Sequence, residues 1–440
     1  MINQSVTKYL KAKNRLALVI SCLLLTTNAC ASTNEVAASE DGLNVGFIAF
    51  GDSGYHVDYL KKKQFVPKRS TKQDFIDYEY QDWLDDGKDP KYFVVPPMHY
   101  VAEVDSMVNA SGMYPVAKAM KGYCQQNECQ FSVMAGDNIY PDGATLGLDG
   151  KDDTTRFDDM FVKPFGDMGK DDPDYRIYTA LGNHDWNTSR EGAMAQVRFM
   201  ETQKPFYMDG IFYTVKPPAG NGDIELFVID TEVMLAAVEV KEAELNPDGS
   251  EKVHDEIDTP KEWTKPQTEA ERNMVSWFES KLKNSTARWK LVLGHHPIWS
   301  SGGSKFEQAR VLRELILPAM CKYADMYIAG HEHSLELHED SCETVFGDGT
   351  EQPPLLQLLS GAAAKQRAVN VPFKSYQDKN YQQNNALWVK GMVWGYSHVQ
   401  LVDDVATVKL ITTPNDGSAK NNVEFTYQFN RRSGRVELSQ

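Results

Sequence analysis

Two mixed β-sheets stacked face to face and flanked by helices, an α/β arrangement in four layers, is the architecture this 440-residue sequence predicts. Three observations lead there. Short runs rich in β-branched and aromatic residues end abruptly at Gly or Asp, as buried strands do. Helical patterns lie between several of these runs, and such alternation calls for a layered α/β fold. The chain then closes on alternating β segments, which extend a sheet antiparallel and favour two packed sheets over one open sheet.

In chain order, the first apolar run is "LALVISCLLLTT" at 16–27, preceded by Lys8, Lys11, Lys13 and Arg15 with no acidic residue. It is too short to span a bilayer but suits the apolar region of a secretory signal. Two processing readings stand side by side. Ala29-Cys30-Ala31 is an A-x-A site for ordinary signal peptidase, whereas Thr27-Asn28-Ala29-Cys30 resembles a bacterial lipobox, with Thr27 where Leu is usual and Cys30 as the lipidated residue. Either way, residues 1–31 read as a signal and 32–43 as a flexible tether. The expectation is an exported protein, periplasmic or extracellular, whose membrane contact is limited to the signal or a lipid anchor at Cys30.

Residues 44–440 read as one domain with insertions at about 55–112 and 233–270. "NVGFIAF" (44–50) runs into "GDSG". The helical pattern "YPVAKAMKGYC" precedes "FSVMA" (131–135), which runs into "GDNIY". "YRIYTAL" (175–181) runs into "GNHDW", and "IELFVI" (224–229) into "DTE". Helical "EAERNMVSWFESKLKNS" precedes "WKLVL" (289–293) and "GHHPIW"; helical "KFEQARVLRELILPAMCKYA" precedes "MYIA" (326–329) and "GHEH". "MVWGYSHVQLVDD", "VATVKLITT" and "VEFTYQFN" close the chain. The first insertion opens on a basic run, "KKKQFVPKRSTK", and turns acidic and aromatic; the run is a solvated face or a means of steering an anion. The second, rich in Pro, Asp and Glu, reads as surface loop.

Apolar content of 41% and charged content of 25% are those of a globular protein. Loss of the four basic residues in 1–31 takes the formal charge from −16 to −20, which excludes nucleic-acid binding through bulk electrostatics. An anionic substrate would need local positive charge, and bound metal supplies it. Beyond the signal stand Cys124, Cys129, Cys321 and Cys342. An even number in an oxidising compartment permits two disulfides, Cys124–Cys129 first because it closes a short loop, with four buried thiols as the alternative.

The strand ends gather Asp52, Asp137, Tyr140, Asn183, His184, Asp185, His295, His296, His331 and His333, including five of the ten histidines. Each has an ordinary reading alone: a turn-forming Asp, a solvated His, an Asn tolerating left-handed backbone. In α/β folds, however, ligands gather at the carboxyl ends of strands, and several such ends here deliver carboxylate, amide, phenol and imidazole. Those donors suit first-row transition metals. Aspartates from two strand ends let one bridge two ions, Asn183 is a weak neutral ligand, and His331 and His333 can reach one ion each. Two ions about 3.5–4 Å apart clamp a displacement at phosphorus.

"GDSG", "GDNIY", "GNHD", "GHHP" and "GHEH", in this order, resemble the five motifs of the purple acid phosphatases within the calcineurin-like metallophosphoesterase superfamily. "LGHHPIWSS", "LSGAAAK" and the closing strands are similar to the small, tartrate-resistant type, and the likeness runs over most of 44–412 outside the insertions. The resemblance implies the metallophosphoesterase fold. It also implies a ferric ion on Asp52, Tyr140 and His333, a divalent ion (iron, zinc or manganese) on Asn183, His295 and His331, and Asp137 bridging them. The implied activity is acid phosphatase: hydrolysis of phosphate monoesters, in a small molecule or a phosphoprotein, by water the ions activate. His184 is then the candidate acid for the leaving oxygen, or a residue that orients phosphate. Asp185 would orient His184 or cap a helix. His296, where small members often have Tyr, is a candidate substrate contact, or else a loop residue. One departure stands out: the small enzymes carry a second substrate-contacting histidine after this motif, and "SSGGSKFEQ" has none. Two other readings use the same ligands: a phosphodiesterase or nucleotide hydrolase with a different rim, and a surface protein that binds metal without hydrolysis.

Overall fold

The computed structural model describes residues 42–432 apart from 239, 246–250, 258–260, 304, 348, 350 and 351, and describes the backbone alone for the rest of 241–260. The signal and Cys30 readings, and the tether up to residue 41, lie outside the described residues.

Strand β1 (Asn44–Phe50) buries every residue but its first, because it is central in its sheet and covered on both faces. It runs parallel to β2 (Phe131–Ala135), which runs parallel to β3 (Ile177–Ala180). Phe47 stands opposite Phe131, their rings stacked at 4.7 Å. On its other side β1 pairs antiparallel with Trp394–Val402, followed by Val405–Thr413 and Asn422–Asn430. The closing segments therefore extend the first sheet as expected. In the second sheet β4 (Ile224–Val228), β5 (Trp289–Leu293) and β6 (Met326–Ala329) run parallel. Leu355–Ser360 adds parallel to β6, then Leu335–Asp340 and Asn384–Lys390 add antiparallel. Each sheet has seven strands. They meet face to face: the Ser360 hydroxyl donates to the Ala49 carbonyl at 2.8 Å and lies 3.0 Å from the Ser397 hydroxyl.

Helices cover the outer faces. Helix α2 (Met113–Cys124) buries Met113, Val116, Ala117 and Met120, the three-and-four spacing of one helix face. Helices α3 (Met274–Asn284) and α4 (Phe306–Tyr323) do the same with Met274, Phe278 and Leu282 and with Leu312, Ile316 and Met320. Disulfides close Cys124 to Cys129 and Cys321 to Cys342. The second joins the last turn of α4 to the segment after Leu335–Asp340. Among the described residues no helix is long and apolar enough to cross a membrane.

Both insertions hold regular structure. The first contains helix α1 (Lys72–Asp85), opened by a Thr71–Asp74 capping box, and a ribbon of Met98–Val101 against Ser106–Asn109. Its two ends are laced together, Tyr55 donating to the Asn109 carbonyl at 3.1 Å and Ser111 to the Tyr55 carbonyl at 2.5 Å. The second is not the surface loop its composition suggests. It starts inside a buried helix, Thr231–Ala236, capped by Asp230, and continues as an antiparallel ribbon of Lys241–Leu245 and Glu251–Ile257. Charged residues are compatible with a two-stranded ribbon, so acidity alone does not exclude strands.

Candidate metal centre

Parallel strands bring their carboxyl ends to one edge of each sheet, and the two edges meet. Asp52 follows β1, Asp137 and Tyr140 follow β2, Asn183 and His184 follow β3, His295 follows β5, and His331 and His333 follow β6. The chain turns sharply at these ends. Asp52, Asp137, His331 and His333 have φ of +55°, +52°, +75° and +47°, a region non-glycine residues rarely adopt. Four such residues in one cluster mark stored strain of the kind that functional sites retain.

The side chains form two groups of donor atoms. In the first, the Tyr140 hydroxyl lies 2.6 Å from Asp137 Oδ2, 2.8 Å from Asp52 Oδ1 and 3.0 Å from His333 Nε2. In the second, His295 Nε2 lies 3.0 Å from His331 Nδ1, 3.2 Å from Asn183 Oδ1 and 3.3 Å from Asp137 Oδ1. His295 Nδ1 faces the Ala135 carbonyl at 2.8 Å, so its proton sits there and Nε2 presents a lone pair. Asp137 belongs to both groups, one oxygen in each.

These residues fit two cations. One phenolic proton cannot satisfy three acceptors, and the second group crowds acceptor atoms around His295 Nε2, which must take up a second proton where no cation is present. Donor atoms about 3 Å apart are what octahedral bonds of about 2.1 Å require. All seven side chains except Asn183, which is half-buried, are essentially withdrawn from solvent. Without cations the charges are strained. Burial pushes Asp52 up to about 7 against the pull of His295, and Tyr140 rises well above its usual value through burial and its two carboxylate neighbours. Burial opposes the charged form of His295, yet Asp137 carries it up to about 10.

The loops are packed to hold this geometry. A methyl group on Gly182 would lie 2.3 Å from both the backbone N and Oδ1 of Asp137. Gly182→Ala should therefore destabilise the protein by roughly 1–3 kcal/mol, read from urea unfolding; an unchanged midpoint would mean that the β2 and β3 loops move independently. Asp185 accepts from the backbone of Gly182 at 2.8 Å, Asn138 at 3.0 Å and Ile139 at 3.0 Å. It neither orients the His184 ring nor caps a helix; it ties the loops after β2 and β3 together.

His184 is half-buried. Its Nδ1 lies 2.5 Å from the Pro141 carbonyl, which places the proton on Nδ1 and leaves Nε2 unengaged among the described residues. His296 is only 1% exposed, with Nδ1 at 2.8 Å from the Thr231 hydroxyl and its ring 4.5 Å from that of His331. His296 is thus held by Thr231 beside His331 and is buried to the same degree as His295 and Asp137. Its Nε2 has no hydrogen-bond partner among the described residues, and ring nitrogens of His295, His296 and His331 lie within 4.8 Å of one another.

Sequence reasoning missed Lys365 and the pair behind it. The Lys365 ammonium lies 4.4 Å from the Tyr140 ring centroid, burial pulls it down to about 8, and it has no ion-pair partner among the described residues. Arg367 pairs with Glu332 at 2.6 Å and donates to the His331 carbonyl at 3.3 Å, bracing the "GHEH" loop. The signal available was position: Lys365 is the first cation after the buried strand Leu355–Ser360 and the small residues "GAAA".

Residues 98–335 match the model of the calcineurin-like phosphoesterase family. Purple acid phosphatase 17 of Arabidopsis thaliana is 26% identical over 256 residues, which cover 57% of this chain and 63% of the relative. Tartrate-resistant acid phosphatase type 5 of Rattus norvegicus is 26% identical over 227 residues, 51% of this chain and 61% of the relative. The matched stretch thus spans under two thirds of these relatives. The solved structure of GAP50, described as the anchor in the inner membrane complex of Plasmodium, superposes with a TM-score of 0.53 at 14% identity, over 89% of this chain and 90% of that one; this likeness is one of fold. The family model covers more than half of the sequence: the chain belongs to the calcineurin-like phosphoesterase family, and its likeness within that family is to the purple acid phosphatases.

Proposed function

We propose that this protein is an exported binuclear-metal acid phosphatase that hydrolyses phosphate monoesters. The observation that carries the reading is Tyr140, a buried phenol between Asp52, Asp137 and His333, since a phenol whose free pKa is near 10 deprotonates at a ferric ion. Asp52, Tyr140 and His333 would hold the ferric ion, Asn183, His295 and His331 a divalent ion (iron, zinc or manganese), and Asp137 both. When bound, the two ions supply Lewis acidity toward phosphate oxygens and lower the pKa of water. His184, as the imidazolium, gives its Nε2 proton to the leaving oxygen while Nδ1–H stays on the Pro141 carbonyl; burial lowers its pKa, so this form is present only toward acid pH. Lys365, close above Tyr140 and without an ion-pair partner among the described residues, attracts the phosphate in place of the histidine absent from "SSGGSKFEQ". The whole of 44–440 acts as one catalytic domain behind a signal at 1–31 and a tether at 32–43. Two disulfides support a compartment outside the cytoplasm.

The test is kcat/KM for an aryl phosphate monoester against the matching diester, on metal-loaded protein lacking residues 1–31, between pH 4 and 8. Monoester preference of about a hundredfold or more is expected, since Lys365 and the ions favour the dianion. Diester preference would make the chain a phosphodiesterase, and full metal loading without turnover of either ester would make it a metal-binding protein.

A further inference from the structure

The insertion at 55–112 takes no part in the chemistry above, yet it stands over the site. A cavity of about 430 Å³ opens between them, with Tyr140, His184 and Lys365 on the strand-end side and Tyr55, Phe93 and Val94 on the insertion side. That volume suits a small organic group and excludes a folded partner. The insertion wall is held in place. Buried Trp83 donates Nε1 to the Asp89 carbonyl at 3.0 Å and meets the Phe93 ring edge-on at 5.5 Å, and Tyr80 packs on the same ring at 5.0 Å. Lys61 pairs with Asp142, so the insertion is tied to the loop that carries Asp137 and Tyr140. Charges in the wall are largely spent on each other, Glu79 on Arg69 at 3.3 Å and Lys88 on Asp86 at 2.6 Å, while Asp82 and Lys63 stand exposed. Toward a ligand the wall presents these rings and Val94, with exposed Lys63 and Asp82 beside them.

A phosphate held between the strand ends, His184 and Lys365 must direct its ester substituent away from those groups, and this cavity begins at the same residues. Resting on the phosphate-ester reading, we propose that the cavity is the leaving-group subsite and that it takes an aromatic alcohol, packed against Phe93. Stacking on a fixed ring and burial of apolar area are the recognition it offers.

Calorimetric binding to metal-loaded protein tests this without turnover, using phenylphosphonate, methylphosphonate and inorganic phosphate. Phenylphosphonate should bind at least about tenfold tighter than methylphosphonate. Phe93→Ala should bring that ratio close to one. Val94→Asp, at a side chain 45% exposed and so tolerant of charge, should do the same by placing a carboxylate in the cavity. Equal binding of the two phosphonates by the unmodified protein, or an undiminished ratio in both variants, would overturn the subsite while leaving the phosphate site standing. Failure of all three ligands to bind would overturn the phosphate site itself.

Discussion

Asp137→Ala should abolish turnover, with kcat/KM falling on the order of 10³-fold or more, and should strip both ions from the protein. Asp137 is the one side chain with an oxygen in each donor group, 2.6 Å from the Tyr140 hydroxyl and 3.3 Å from His295 Nε2. Its Oδ1 also accepts from the backbone N–H of His184 at 2.8 Å. Loss of the carboxylate removes a shared ligand, leaves the remaining donors with less negative charge to offset two cations, and frees the loop that carries the candidate acid. By contrast, Asp52→Ala removes a ligand from the first group alone and should leave the second ion bound. Metal content per chain, measured beside activity and circular dichroism, checks both statements. Two ions retained in a folded Asp137→Ala protein would sink the shared-ligand assignment.

The distribution of such roles is partly legible in the amino-acid sequence. Strand ends declare themselves because a buried run must stop where polar residues begin, and β1, β2, β5 and β6 have the bounds read from the sequence. Donor types at those ends point to metal because carboxylate, phenol, amide and imidazole together have few other uses. What the sequence hides depends on distant chain segments meeting. Asp185 reads as a partner for its neighbour His184, whereas the backbone turns it toward Asn138 and Ile139 on another loop. Lys365 closes "LSGAAAK", a stretch that assigns it no role; its meaning comes from the Tyr140 ring beneath it. His296, adjacent to His295, faces Thr231 at the start of the helix that follows β4. The insertion at 55–112 follows the Asp52 loop in the chain, and that position alone suggests that it overhangs the site; how it is tied there follows from contacts such as Lys61 with Asp142.

His184→Ala should separate general acid from phosphate anchor. If Nε2 protonates the leaving oxygen, loss of the ring should slow an alkyl phosphate roughly 10²–10⁴-fold in kcat, because an alkoxide cannot depart unprotonated. Nitrophenyl phosphate should lose only about tenfold, since its phenolate leaves without help. An anchoring histidine predicts something else: similar losses on both esters, seen mainly in KM. The geometry favours the acid. Nδ1 is committed to the Pro141 carbonyl at 2.5 Å, and the ring lies against Tyr140 with centroids 4.3 Å apart, so Nε2 is held at the cavity while Lys365 is already placed to attract the anion. Lys365→Met then becomes the complementary measurement, with a KM loss on both esters and no dependence on the leaving group. If His184→Ala gave that pattern instead, His184 would be a second phosphate anchor and the proton would have to come from solvent through the cavity.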